Sequence, residues 1–183
     1  MDFKKRLLIL DLDETLIHSV DQYVPKKSTV KVDHWYVYPR PGLIPFLRDI
    51  SALYYLAVWS AADELYVNSI ISKVIPNDII FEFIWDRSRC TKRIDIDTKV
   101  SYYEKNLKKV KKHNYSLDDI IIVDDIPENA SRNYGNLITV KPYYGETYDD
   151  ELPKLFHYLK YLSTKENIRS IEKRGWKGQI SLT

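Results

Sequence analysis

Cysteine is nearly missing from this chain. The single one, Cys90, has no internal partner, so a disulfide framework is excluded and a reducing compartment is the natural setting. Long apolar runs are missing as well, since nothing approaches the ~20 consecutive apolar residues of a membrane-spanning helix. The opening MDFKKRLLILD looks at first like a signal peptide, but Asp11 and Asp13 cut its apolar stretch short. A strong charge of one sign is also absent. The formal net charge of +2 is too small to require nucleic acid or an acidic membrane as a partner. The four histidines, His18, His34, His113 and His157, are scattered, and with Cys90 they offer no zinc-like spacing. Internal repeats and low-complexity tracts are lacking.

What is present is ordinary globular composition, 44% hydrophobic and 30% charged over 183 residues, which suits one well-cored domain spanning 1–183. Short apolar runs alternate with amphipathic segments, the pattern of an α/β protein. LLIL at 7–10, YYLAVW at 54–59, IIFEFIW at 79–85, IIIV at 120–123 and LITV at 137–140 are the strand candidates. Their near-continuous apolarity predicts parallel strands covered on both faces. The fold expected is therefore a Rossmann-like parallel sheet of about five strands flanked by helices.

Helices are predicted between the strands. Pro41-Gly42 opens one over 43–51, and Asp63 caps another that carries Val67, Ile70, Ile71 and Val74 at helical spacing. A third stripe runs through Leu152, Leu155, Phe156, Leu159 and Leu162. Two segments interrupt the alternation. Residues 19–38 read as a small β-hairpin inserted after the first strand, with strands at 29–32 and 35–38. Residues 89–101 read as a loop or second small insertion. The charged tail, 163–183, reads as a loosely held helix ending near Gly175. Lys108, Lys109, Lys111 and Lys112 read as the solvated face of a helix whose other face carries Tyr103, Leu107 and Val110.

The chemistry concentrates where apolar runs end. LLIL is followed by Asp11, Asp13 and Glu14, and IIIV by Asp124 and Asp125. Ligands of parallel α/β sheets bind beyond the carboxyl ends of the strands. If these two strands are neighbours, four carboxylates meet. Two like charges ~4 Å apart at an effective dielectric of about 20 repel by roughly 4 kcal/mol. Several such pairs rival the ~5–15 kcal/mol stability of a domain, so a cation is expected, and all-oxygen ligands favour Mg²⁺. Magnesium among acids points to phosphate chemistry. Asp11 can attack phosphorus, and Asp13 can protonate the leaving oxygen and later deprotonate water. Ser60, directly after the second strand candidate, can donate to a phosphate oxygen, and a lysine is needed to balance charge.

DLDETLIHS (11–19), RPG (40–42), WSAAD (59–63), RSRC (87–90), EKNLKKV (104–110) and VDDIPEN (123–129) resemble, in that order, motifs of the haloacid dehalogenase superfamily. Within it they are most similar to the RNA polymerase II C-terminal-domain phosphatase-like, NLI-interacting-factor-like family. The resemblance runs from about Lys5 to Leu162. It implies Asp11 as nucleophile, Asp13 as general acid/base and Lys105 as the phosphate-facing lysine, with Lys108 as a second candidate. It implies that Asp11, the backbone carbonyl of Asp13 and Asp125 hold Mg²⁺, with Asp124 adjoining the metal or pairing with Lys105. Thr15 and Ser60 would steady the site and the phosphate, and Arg87 would contact substrate.

The expected function is Mg²⁺-dependent phosphomonoester hydrolysis, acting on phosphoserine or phosphothreonine in a protein or peptide. Trp35, Tyr36 and Lys31 are candidate peptide contacts. A small phosphorylated metabolite is the alternative substrate. A non-enzymatic phosphopeptide-binding or scaffold module on the same fold is the alternative role, although such a module would be free to lose Asp11, Asp13 or the Asp124–Asp125 pair. A phospho-accepting receiver domain shares the acids, metal and lysine, but places its lysine after the acids, whereas Lys105 precedes Asp124. The expected location is cytoplasmic, or nuclear in a eukaryotic cell.

Overall fold

The central strand, β1 (Arg6–Leu10), is apolar because both of its faces are covered: Leu7, Leu8, Ile9 and Leu10 are fully buried. The computed structural model describes residues 5–23, 29–97, 99–113 and 115–180. After β1 the chain leaves the main sheet for a small antiparallel sheet of β2 (Ile17–Val20), β3 (Val30–Val32) and β4 (Trp35–Pro39). It returns through helix α1 (Leu43–Ser51), strand β5 (Tyr54–Trp59), helix α2 (Glu64–Val74) and strand β6 (Phe81–Trp85). A hairpin of β7 (Thr91–Ile94) and β8 (Ser101–Glu104) then precedes a 3-10 segment, Leu107–His113. Strand β9 (Ile120–Asp124), a kinked 3-10 stretch (Pro127–Asn136), strand β10 (Leu137–Thr139) and helices α3 (Glu151–Ser163) and α4 (Trp176–Ile180) follow.

The main sheet has the order β10-β9-β1-β5-β6, every neighbour parallel. These are the five strands that the apolar runs predict. Leu10 aligns with Val58 on one side and with Val123 on the other, so β1, β5 and β9 end together. The ladder runs one step further, with the Asp11 N–H donating to the Val123 carbonyl at 3.0 Å. Alternate side chains feed two cores. Leu8 and Leu10 pack with α1, α2 and α3, while Leu7 and Ile9 join Trp59, Leu107, Val110 and Ala130. Each buried leucine or isoleucine contributes about 1.5–3 kcal/mol. Helix α1 starts behind Gly42, whose φ of 79° is a left-handed conformation that glycine adopts without steric cost. Helix α2 is capped by Asp63 as predicted, its side chain accepting the Tyr66 N–H at 3.1 Å.

Four expectations change. The insertion is a three-stranded sheet of order β2-β4-β3, starting at Ile17 and not at residue 19; residues 24–28 within it lie outside the described residues. Residues 89–101 are not a plain loop, because β7 and β8 pair antiparallel from Thr91↔Glu104 to Ile94↔Ser101. The lysine run lies on a 3-10 segment, Tyr103 belongs to β8, and Lys109 donates to the Arg89 carbonyl at 2.8 Å. The tail is not loose either. Ile168 and Trp176 are buried in the core, and the Trp176 indole N–H donates to the Thr139 carbonyl at 2.8 Å while its ring stacks on Tyr158. Helix α4 begins after Gly175 where the sequence predicted an end, since Gly175 has a φ of 65°.

Arg40 ties the insertion back to the sheet. Its buried guanidinium grips both Asp149 oxygens, at 2.7 and 2.9 Å, and donates to the carbonyls of Thr15 and Lys141, each at 2.9 Å. Burial alone would raise the Asp149 carboxyl, but its hydrogen bonds from Arg40 prevail and hold it below the usual carboxylate range. A depressed carboxyl contributes stability that is complete above its unfolded value near 4 and is lost as pH falls through the folded value. Asp149→Asn is therefore expected to cost about 3 kcal/mol at neutral pH by leaving Arg40 unpaired. The gap between the melting temperatures of wild type and variant should close below a pH of about 4. Thermal unfolding at neutral and acidic pH checks it, and a gap that does not depend on pH would contradict the ion-pair account.

Candidate active site

Three parallel strands deliver the candidate residues to one edge of the sheet. Asp11 and Asp13 follow β1, Asp124 closes β9 with Asp125 next to it, and Ser60 follows β5. The chain turns sharply after β1, the Leu12 carbonyl accepting the N–H groups of Thr15, Leu16 and Ile17 at 3.2, 2.8 and 3.1 Å. Glu14 in that turn has a φ of 54°, an uncommon conformation outside glycine.

Lys105 is the hub. It is fully buried, its Nζ lying 2.5 Å from Asp11 Oδ1 and 2.7 Å from Asp124 Oδ2. Burial works against its charge, but Asp11 and Asp124 outweigh that and raise its value, so the ammonium persists. Its backbone is fixed too. Its N–H donates to the Asn129 carbonyl at 2.6 Å, and the preceding Glu104 is buried between Arg93, at 2.7 Å, and Arg132, at 3.1 Å. Lys108 is exposed, so of the two lysines weighed on sequence it is Lys105 that meets the acids.

The carboxylates have unequal surroundings. Both Asp124 oxygens are committed: Oδ2 to Lys105, and Oδ1 to the Ile126 N–H at 2.9 Å and the Asn129 amide at 3.1 Å. Asp125 is half-buried, and one of its oxygens accepts the Thr15 hydroxyl at 3.3 Å. Burial, and then the charge of Asp124, push the Asp125 carboxyl up to about 6. Burial also pushes Asp11 up, against the pull of Lys105. One oxygen each from Asp11, Asp124 and Asp125 lie within 4.8 Å of one another. Three carboxylates thus cluster beside a single ammonium that pairs with two of them. A divalent cation with hard oxygen ligands fits this donor set.

Asp13 stands apart from that cluster. Its Oδ1 accepts the Tyr66 hydroxyl at 2.5 Å and its Oδ2 the Ser60 hydroxyl at 3.5 Å. Burial raises its carboxyl, while the hydrogen bond from Tyr66 pulls the other way. Ser60 is fully buried, and its oxygen accepts the Ala62 N–H at 3.0 Å. Arg87 lies on the rim, 42% exposed, with its guanidinium 5.4 Å over the Tyr103 ring and 3.9 Å from Asp63. Among the described residues these two are its side-chain partners, and neither belongs to the cluster of Asp11, Asp124 and Asp125.

Three residues with no assigned role in the sequence reading take part in this geometry. Asn129 lies inside the quoted VDDIPEN and bridges Asp124 and Lys105. Glu104 opens the quoted EKNLKKV, directly before Lys105. Tyr66 directly precedes the stripe that begins at Val67, and nothing in its spacing marks the hydroxyl.

Comparison with known proteins bears on the family and the fold. A family model described as NLI interacting factor-like phosphatase matches residues 6–169. The chain is 28% identical over 171 residues to phosphatase PSR1 of Saccharomyces cerevisiae, covering 90% of this chain and 38% of that protein. It is 29% identical over 186 residues to CTD nuclear envelope phosphatase 1B of Danio rerio, covering 93% and 72% respectively. Among solved structures, the fission yeast RNA polymerase II CTD phosphatase Fcp1 bound to beryllium fluoride superposes with a TM-score of 0.59 at 17% identity. That match covers 97% of this chain and 62% of the other. An uncharacterized protein from Listeria monocytogenes gives the same TM-score at 15% identity, covering 87% of this chain and 99% of its own. The fold is thus the α/β fold of haloacid dehalogenase-like phosphatases. Among the described residues, no helix is long and apolar enough to cross a membrane.

Proposed function

The chain belongs to the NLI interacting factor-like phosphatase family, and from that premise we propose that it hydrolyses phosphomonoesters through an aspartyl-phosphate on Asp11. Phosphoserine or phosphothreonine in a protein is the proposed substrate, and Mg²⁺ the proposed cofactor. One observation carries the reading: Asp11 ends the central strand with its carboxylate against a buried ammonium and beside two further carboxylates.

The Asp11 carboxylate attacks phosphorus, forming the O–P bond as the ester P–O bond breaks. Asp13 gives its proton to the departing oxygen. In the second half Asp13 takes a proton from water as the water oxygen bonds phosphorus and the Asp11 O–P bond breaks, releasing inorganic phosphate. Lys105 offsets charge on the phosphoryl oxygens, Ser60 donates to one of them, and Arg87 approaches substrate from the rim. Thr15 steadies Asp125. Asp11, Asp125 and the Asp13 carbonyl would hold Mg²⁺, which when bound neutralises phosphoryl charge. Asp124, already satisfied by Lys105, Ile126 and Asn129, acts through Lys105.

The test is hydrolysis of para-nitrophenyl phosphate and of a panel of phosphoserine and phosphothreonine peptides. Turnover is expected with Mg²⁺, to vanish with chelator and to return when Mg²⁺ is added back. Folded, metal-replete protein that turns over none of these from mildly acidic to neutral pH would replace this reading with a binding role. Turnover of the aryl phosphate with none of the peptides would move the substrate to a small molecule.

A further inference from the structure

The hydroxyl of Tyr66 meets Asp13, which stands outside the acid cluster, and the phosphatase reading gives it no task. We infer that Tyr66 is a positioning residue: backed by Ser19, its hydroxyl holds the Asp13 carboxyl by Oδ1 and leaves the other oxygen, Oδ2, turned to the leaving group. The inference rests on the phosphatase reading.

Its basis is the hydrogen bonding around one carboxyl. Tyr66 lies 2.5 Å from Asp13 Oδ1 and 2.6 Å from Ser19 Oγ. A phenol has one proton, and the carboxylate can only accept it. With Asp13 ionised the phenol proton goes to the carboxylate, and the Ser19 contact then uses the serine's own proton. Among the described residues Oδ2 meets Ser60 alone, at a long 3.5 Å, and the Ser60 oxygen is already occupied by the Ala62 N–H. Oδ2 is the oxygen left to face a substrate.

The Tyr66 ring is itself gripped. Trp35 of β4 packs edge-on against it, with centroids 5.8 Å apart and planes at 78°. Its backbone N–H is fixed by Asp63 at the start of α2. Ser19 belongs to β2, so the inserted sheet supplies both the ring contact and the backing hydroxyl. Through one tyrosine, the insertion is joined to the acid that moves the proton.

Tyr66→Phe keeps the ring and removes the hydroxyl. The measurement is kcat/KM for phosphates whose leaving groups differ in basicity, from para-nitrophenyl phosphate through phenyl phosphate to a phosphoserine peptide. A misoriented acid matters most for the basic leaving groups. The expected loss is about twofold on para-nitrophenyl phosphate, rising to about tenfold or more on phenyl phosphate and the peptide. Repeated in an Asp13→Asn background, Tyr66→Phe should add nothing, because the group it orients is gone. Ser19→Ala should reproduce the same trend at smaller amplitude, and serves if Tyr66→Phe does not fold. An equal loss on every leaving group, or an undiminished loss in the Asp13→Asn background, would overturn the inference and leave Tyr66 as a packing or binding residue. Wild-type protein without turnover would overturn the phosphatase reading itself, and this inference with it.

Discussion

Asp11→Asn is expected to lower turnover of para-nitrophenyl phosphate by a factor on the order of 10⁴ or more while leaving the protein folded. An amide nitrogen or oxygen does not attack phosphorus, so the covalent route closes. The shape is preserved, and the remaining oxygen still accepts the Lys105 ammonium that now lies 2.5 Å away. The substitution also removes one negative charge from a buried cluster, so the fold loses a repulsion as well as an attraction. Two measurements separate this from general damage. Acid-quenched wild-type protein should carry a phosphoryl group labile to hydroxylamine, as acyl phosphates are, and the variant should carry none. Thermal unfolding should be close to wild type. A variant retaining more than a few per cent of the activity would place the nucleophile elsewhere.

The position of Asp11 was readable because burial on both faces writes itself into sequence. Only a strand covered on each side is apolar at every residue, so LLIL and IIIV stand out, and acids directly after them mark the sheet edge. That the two strands are neighbours was not readable from pattern, since β1 and β9 are separated by more than a hundred residues of chain; there the resemblance carried the expectation. The missed strands have a common cause. IHSV, TKRI and SYYE carry neither an apolar run nor a clean alternation, and what makes them strands is pairing with β4 or with each other. The tail deceived in a similar way. Among charged neighbours, one buried Trp176 and the three carbonyls of Gly135, Ile168 and Ile171 around the Lys173 ammonium hold the segment to the core. No helical stripe announces such an anchor.

Tyr66 escaped for a different reason. On α2 it precedes Val67, and the periodicity of a buried stripe gives no hint that a ring at its margin turns its hydroxyl towards the β1 turn. Ser19 and Asp13 are far from it in sequence, so the trio exists only once the inserted sheet has folded. Pattern reads which residues are buried; it does not read which polar groups meet.

The lysines make that distinction testable. Lys105 and Lys108 lie three residues apart in one basic stretch, and chain propensity does not tell them apart. Their surroundings do: Lys105 is fully buried between Asp11 and Asp124, whereas Lys108 is exposed. Removing one partner of a buried ion pair costs about 3–5 kcal/mol, because the charge left behind has neither water nor a partner. Lys105→Met is expected to lose that much stability in the absence of divalent cation. Mg²⁺ should restore part of the loss, since a dication placed among Asp11 and Asp125 relieves the same repulsion. Activity should fall about 10²–10³-fold even with Mg²⁺ present, for want of the charge that faces the phosphoryl oxygens. Lys108→Met should change stability by no more than about 0.5 kcal/mol and leave turnover intact. Urea unfolding of the three proteins with and without Mg²⁺, beside their kcat values, decides the matter. A Lys105→Met protein as stable as wild type without metal would mean that the acids do not depend on the ammonium, and that the electrostatic account of the site is wrong.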